Sequence, residues 1–314
     1  MLQLLAKAAS YRPTKSTDGQ AIELPKLQIN KTVRINARHC NRYNSLCNWS
    51  AGIASVIHPS YMQVLSLPMQ LKLMVTPPFP FKPLGLVHLS NSIEVIKLPE
   101  QQSTLDLAVS FGDLFWHKKG WVFSVISTAH VDGKLALSAA SFYLARQPHD
   151  NNNQSHNKAF DGMHVEKTSL PLGLDDRSQA LNKEILFSSK VGRQYASVSG
   201  DYNPIHLSAY TAKLLGFRKA IAHGMFSKAY CLSAIIQNVA PAKTKLLGAF
   251  NIQADFMQPL YLPSEATLVV AVTQKGDTVA DNASLDDRVE YRLASHCRGK
   301  TRDYLRGVIT YPFE

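Results

Sequence analysis

Ala222-His223-Gly224-Met225-Phe226-Ser227-Lys228-Ala229-Tyr230 opens a stretch that runs to about Val239, with apolar residues at Met225, Ala229, Leu232, Ile235 and Ile236. That spacing is a helical period. Ile57-His58-Pro59-Ser60-Tyr61-Met62-Gln63-Val64-Leu65 opens a similar stretch ending near Val75, and the two histidines, His58 and His223, lie 165 residues apart. Leu84-Gly85 and Leu247-Gly248 each precede an alternating segment, the first reaching Leu98-Pro99 and the second Leu262-Pro263. His130, Gly133 and Lys134 are answered by His296, Gly299 and Lys300 at an offset of 166. Three matches in order at nearly constant offset mark a duplicated unit.

Each unit reads as a long helix followed by strands. In the first these are Val87 to Leu98, Thr104 to Phe111, Val122 to Ala129 and Ala136 to Leu144; in the second, Ala249 to Met257, Ala266 to Gln274, Val289 to Ser295 and Tyr304 to Tyr311. The expected class is α+β, with a curved antiparallel sheet burying one face on a central helix. Two such units sharing one longer sheet make a double hotdog. Gln147 to Lys158 is polar and aperiodic and reads as a linker, so the chain divides into residues 1–146, a linker at 147–160, and residues 161–314.

With 314 residues, 45% hydrophobic and 18% charged, the composition is that of a folded globular protein, not a disordered one. No apolar run reaches the length of a membrane span, and Lys7, Tyr11, Arg12 and Lys15 follow the apolar start too soon for a secretion signal. The net charge of +11 favours anionic partners, but the basic residues are scattered, which argues against a nucleic-acid groove. Four cysteines without a CxxC pair fit a reducing cytoplasm. His39, Cys40 and Cys47 are the nearest approach to a metal cluster, and a lone group of this kind is ordinarily structural.

The stretch that carries chemistry is Tyr195-Ala196-Ser197-Val198-Ser199-Gly200-Asp201-Tyr202-Asn203-Pro204-Ile205-His206, continuing through Gly216-Phe217 to Ile221-Ala222-His223-Gly224-Met225. Gly200 and Asn203-Pro204 are turn chemistry, so Asp201 to His206 should form a bent loop, followed by a short helix from about Leu207 to Leu215. A carboxylate and an imidazole on such a loop can grip one water and shuttle its protons, with Asn203 holding the loop or orienting the water. Gly224, at the start of the long helix, would offer an N–H to an oxygen gaining charge. The simpler reading of Asp-x-Asn-Pro is a helix entry in which the polar residues only cap.

The ordered string resembles the MaoC-like dehydratases, the (R)-specific enoyl-thioester hydratases. Tyr195, Ser199, Gly200, Asp201, Asn203, Pro204, Ile205, His206, Gly216, Phe217 and Ile221 to Met225 fit their signature. Phe79-Pro80-Phe81 and Gly85-Leu86-Val87-His88 are similar to the non-catalytic half of the double-hotdog members, especially the bacterial 3-hydroxyacyl-thioester dehydratases. The resemblance implies a hydro-lyase of fatty-acid metabolism, with Asp201 and His206 as the water-activating dyad, Asn203 in support and the Gly224 N–H on the thioester carbonyl. It further implies a substrate surface around Tyr195, Ser199 and His223, and neither metal nor other cofactor. The expected substrate is an acyl-CoA or acyl-carrier-protein thioester, and Arg218 and Lys219 are candidates for meeting its phosphates.

Pro59 stands where the second unit has Gly224 and lacks an N–H, so the first unit should be catalytically dead. The position 165 before Asp201 is Asn36, with no matching loop around it. The helix from about Tyr61 to Leu73 either lines an acyl-chain tunnel or is core. The doubled unit leaves the chain a monomeric pseudo-dimer or a homodimer. Two competing functions are a hotdog thioesterase, disfavoured because Met225 to Lys228 offers no acidic residue, and a non-catalytic acyl-CoA-binding protein, disfavoured because Asp201, Asn203, His206 and Gly224 are all present.

Overall fold

The computed structural model describes residues 1–13, 22–49, 55–147, 160, 179–239, 248–273, 288–297 and 299–311. Most of the expected linker, 148–159, and the segment 161–178 therefore lie outside the described residues.

Two helices organise the chain: α3 (Tyr61–Met74) and α6 (Gly224–Asn238), which bury residues, mostly apolar, around most of their circumference. A helix buried on all sides must be enclosed. The enclosing element is a ten-stranded sheet, antiparallel throughout, built from β1 (Gln28–Arg34), β2 (Val87–Val95), β3 (Thr104–His117), β4 (Gly120–Val131) and β5 (Lys134–Arg146), then β6 (Gln179–Phe187), β7 (Phe250–Phe256), β8 (Ser264–Thr273), β9 (Arg288–Cys297) and β10 (Lys300–Thr310). Its order, β1-β3-β4-β5-β2-β7-β10-β9-β8-β6, reads the same from either end once β1 to β5 are matched to β6 to β10. This is the double hotdog, and all eight strands expected from the sequence are present. Gly133 and Gly299 occupy matching hairpin turns with φ of 76° and 72°.

Five helices and strands were not expected: the N-terminal helix α1 (Leu2–Ser10), the edge strands β1 and β6, and the helices α2 (Ala37–Leu46) and α4 (Val191–Ser199) that follow those strands. The short helix expected after the Asp201 loop is Ala209–Leu214 (α5). In α2 the residues Cys40, Tyr43 and Asn44 are buried, and the His39 Nδ1 pairs with the Tyr61 hydroxyl at 2.7 Å, so His39 and the two cysteines serve packing.

The units meet at the β2–β7 seam, where Ser90 to Val95 pair with Asp255 to Phe250. Lys228 of α6, fully buried, donates to the Asn91 and Ile252 carbonyls at 3.0 and 3.2 Å and to the Asn91 side chain. It thereby clamps both seam strands to the central helix. His58, at the start of α3, places Nε2 3.1 Å from the Ala229 carbonyl and accepts the Ser60 N–H on Nδ1, tying the two central helices together.

Candidate active site

The Asp201 loop is built by punctuation. α4 ends at Gly200, whose left-handed φ of 76° turns the chain and whose N–H closes on the Ala196 carbonyl. Asp201 follows, its N–H bonded to the Ser199 hydroxyl at 3.1 Å. Its Oδ1 accepts the Asn203 N–H at 3.2 Å, and Asn203 in turn caps a single 3-10 turn, Pro204–His206. Asn203 therefore holds the loop. The short helix that follows begins at Ser208, whose hydroxyl accepts the Thr211 N–H.

His206 is pinned from two directions. Its Nδ1 lies 2.9 Å from the Ile221 carbonyl, so Nδ1 carries the proton and Nε2 keeps a lone pair. Its own carbonyl lies against Gly192 of α4, where an added Cβ would sit 2.0 Å from that oxygen. Residues 220–222 run between this loop and the Leu260–Leu262 segment, with Ile221 bonded to Ile205 and Ala222 to Leu260. That extended segment delivers both the partner of His206 and the next residue, His223.

His223 caps α6 and places Nε2 3.0 Å from the Asp201 carbonyl and 3.8 Å from its Oδ2. A carboxylate oxygen of Asp201 and ring nitrogens of His206 and His223 all lie within 4.8 Å of one another. A divalent ion favours such a donor set, but Nδ1 of His206 and Nε2 of His223 are already turned to backbone carbonyls. What remains is the carboxylate, the Nε2 lone pair of His206 and the buried, unpartnered Nδ1 of His223, of which the first two suit one water molecule.

Burial pushes the Asp201 carboxyl up, yet His223, His206, the Asn203 N–H and His88 together outweigh it and leave its pKa lowered. Burial likewise lowers His206, opposed by the Asp201 charge. His223 falls to about 3, through burial and then through His206. At neutral pH the site thus holds a carboxylate beside two neutral imidazoles.

Gly224 begins α6, and its N–H is among the first-turn donors that have no intrahelical partner. A Cβ there would meet the Phe256 ring at 2.7 to 3.0 Å, so only glycine lets that ring close against the helix start. Tyr195 and Ser199 lie buried behind the loop, Tyr195 packing on His223 at 4.8 Å between ring centroids and Ser199 accepting the Asp201 N–H, so both buttress the loop from the interior instead of offering a substrate surface. Arg218 and Lys219 are exposed in the turn before α6, with the Arg218 guanidinium 5.9 Å above the Tyr261 ring.

The counterpart of Asp201 in the first unit is Trp49, and the match to Asn36 is corrected. Asn48, one residue past the α2 cap Cys47, takes a left-handed φ of 56°, as Gly200 does after α4, and Trp49 then meets His58 edge-on at 4.6 Å between ring centroids. Asp201 and His223 are 22 residues apart, whereas Trp49 and His58 are nine apart, so the first unit lacks thirteen residues that carry the loop. The first unit nevertheless reaches the start of α6 through His88, which leans on the Phe256 ring at 4.9 Å and stacks on Tyr143 at 4.6 Å. The alternation of β2 gave no sign of this, because a bulge changes which face His88 occupies.

Residues 175–290 match the model of the MaoC like domain. The chain is 27% identical over 219 residues to 3-hydroxyacyl-thioester dehydratase X of Mycobacterium tuberculosis, covering 68% of this chain and 69% of that protein. It is 24% identical over 231 residues to the peroxisomal enoyl-CoA hydratase 2 of Arabidopsis thaliana, covering 70% of each. The crystal structure of HtdX of Mycobacterium tuberculosis superposes with a TM-score of 0.66 at 21% identity, covering 90% of this chain and 99% of that one.

Proposed function

We propose, from the match of residues 175–290 to the MaoC like domain and the likeness to the dehydratase and hydratase relatives, that this chain is a hydro-lyase that reversibly hydrates trans-2-enoyl thioesters to (R)-3-hydroxyacyl thioesters in fatty-acid metabolism. The observation that carries the reading is the convergence of the Asp201 carboxylate and the His206 ring, whose Nδ1 is spent on the Ile221 carbonyl, with His223 at the α6 N-cap.

In the hydration direction, Asp201 and His206 hold one water. His206 Nε2 takes a proton as the water oxygen bonds to C3, the C2–C3 π pair shifts toward the thioester carbonyl, and the Gly224 N–H stabilises the oxygen that gains charge. A proton returned from the dyad to C2 completes the addition, so the elements of one water are added across the double bond. Dehydration reverses each step.

The unit spanning residues 1–146 is non-catalytic in this reading, supported by Trp49 in place of the carboxylate and Pro59 in place of the N–H donor. The thioester is carried by CoA or an acyl carrier protein, with Arg218 and Lys219 near its entrance. The internal β2–β7 seam suits a self-sufficient monomeric pseudo-dimer. Among the described residues no helix is long and apolar enough to cross a membrane, and the thiols of Cys40, Cys47, Cys231 and Cys297 are free, which favours a reducing, cytoplasmic setting.

The test is loss of enoyl-thioester absorbance with trans-2-butenoyl-CoA, with chiral analysis of the product. Formation of the (R)-3-hydroxy thioester supports the reading; hydrolysis to free CoA in its place would show a thioesterase, and intact bound thioester a binding protein.

A further inference from the structure

Strand β2 carries an irregularity that changes which of its side chains face inward. His88 pairs with Tyr143 and Ser90 with Phe142, which leaves Leu89 as an extra residue in the ladder. Val87 and Leu89 pack with Phe142 and Leu144 on the outer face, while Asn91, Ile93 and Val95 are buried inward. Simple alternation from Asn91 would put Leu89 inside and His88 outside. The bulge reverses this and turns His88 to the interior, a device that re-aims a side chain at a site.

His88 arrives beside the start of α6. Its ring stacks on Tyr143 at 4.6 Å and 19°, and leans on Phe256 at 4.9 Å, the ring that closes against Gly224. Its Nε2 is buried and has no hydrogen-bond partner. Behind it the polar character continues: the Tyr143 hydroxyl donates to Gln70 Oε1 at 3.1 Å, Gln63 donates to the same oxygen at 3.2 Å, and Gln70 Nε2 donates to the Ser66 hydroxyl at 3.0 Å. Gln63, Ser66 and Gln70 form the buried inward stripe of α3, spaced three and four residues apart.

An alkyl chain pushed past His88 would have to part these hydrogen-bonded amides and leave them without partners, which is costly in a buried setting. We propose that His88, Tyr143 and Gln70 close the acyl end of the site with a polar wall, so that the enzyme selects short-chain enoyl thioesters against long alkyl ones. His88 and Tyr143 are specificity-determining residues lent to the catalytic unit by its non-catalytic partner. This rests on the hydration reading above.

The experiment compares trans-2-butenoyl-CoA with trans-2-decenoyl-CoA on the full chain, and in parallel measures binding of the unreactive butanoyl-CoA and decanoyl-CoA by calorimetry. The expected result is a kcat/KM at least about tenfold lower for the decenoyl substrate, and weaker binding of decanoyl-CoA. His88→Ala and Tyr143→Phe should each raise the decenoyl-to-butenoyl ratio, mainly through KM of the longer substrate. A variant that was merely less well folded would lower both rates together.

Equal or better use or binding of the longer chain by the unmodified protein overturns the wall. So does a ratio that neither substitution moves in folded protein, or binding of neither thioester. If neither substrate reacts but butanoyl-CoA binds more tightly than decanoyl-CoA, the hydration reading fails and the wall stands.

Discussion

His206 and His223 lie face to face, their ring centroids 3.7 Å apart and their planes 26° from parallel. Two stacked imidazoles cannot both carry charge cheaply, and burial already disfavours charge on either. In the proposed reaction a proton would therefore rest on His206 only transiently, while His223 is a neutral ring packed behind it with Nε2 facing the Asp201 carbonyl. Its counterpart His58 is likewise neutral and bonded through both ring nitrogens.

Because the Asp201 and His206 pKa values are both lowered, the carboxylate beside a neutral imidazole, the form that the proposed reaction requires, persists below the ordinary histidine value. The profile of kcat/KM against pH should stay flat through about pH 6.5 and fall only on its acid side. A fall already complete at that pH would contradict the assignment.

Asp201→Asn and His206→Gln should each lower kcat by about 10² to 10⁴-fold with the circular dichroism spectrum unchanged. In Asp201→Asn the amide keeps an oxygen for the Asn203 N–H, so a large drop in Tm would point to a structural role instead.

Gly224→Ala places a methyl group 2.7 Å from the Phe256 ring. The expected outcome is a displaced ring, a lower Tm and a loss of about 10²-fold in kcat. Combining it with Phe256→Leu, which removes the obstructing ring, should restore part of the stability, and a double-mutant cycle of melting data reads the coupling.

Lys228→Met should destabilise the fold by about 2 kcal/mol, since the seam carbonyls of Asn91 and Ile252 lose their donor. Chemical denaturation measures it. Burial lowers the Lys228 pKa well below its ordinary value, so the native state releases that proton before the unfolded state does as pH rises. Stability associated with this lysine accordingly increases with pH between the two values, and the substitution should flatten that increase.

His58, His88 and His223 are each held at about 3, burial being the first cause in every case. A depressed native pKa means that the stabilisation is fully present above the unfolded value near 6.5 and is lost as pH falls toward 3. Each contributes a slope of up to about 1.4 kcal/mol per pH unit in that window. Urea midpoints measured between pH 7 and pH 4 should drop steeply, and less steeply in His58→Gln.

The central helices and the eight inner strands could be read from the chain because burial imposes a period on their sequences. β1, Gln28-Ile29-Asn30-Lys31-Thr32-Val33-Arg34, is an edge strand with mostly exposed side chains, and burial wrote almost no pattern into it. α2 buries only Cys40, Tyr43 and Asn44, too few for a stripe. The Asp201 loop was legible because turn residues are punctuation that single positions can carry. Its counterpart at Trp49 was not, since a constant offset fails wherever one copy lacks a segment. His88 was hidden for a related reason: one added residue at Leu89 inverts the inside-outside order that alternation relies on.

The thirteen-residue difference between the two units has a stoichiometric consequence. Two identical hotdog subunits carry two loops and present two sites; here a single chain holds the same seam with one loop. Titration with a tight-binding inhibitor should therefore saturate at one equivalent per 34.8 kDa of protein, whatever larger assembly the chains form.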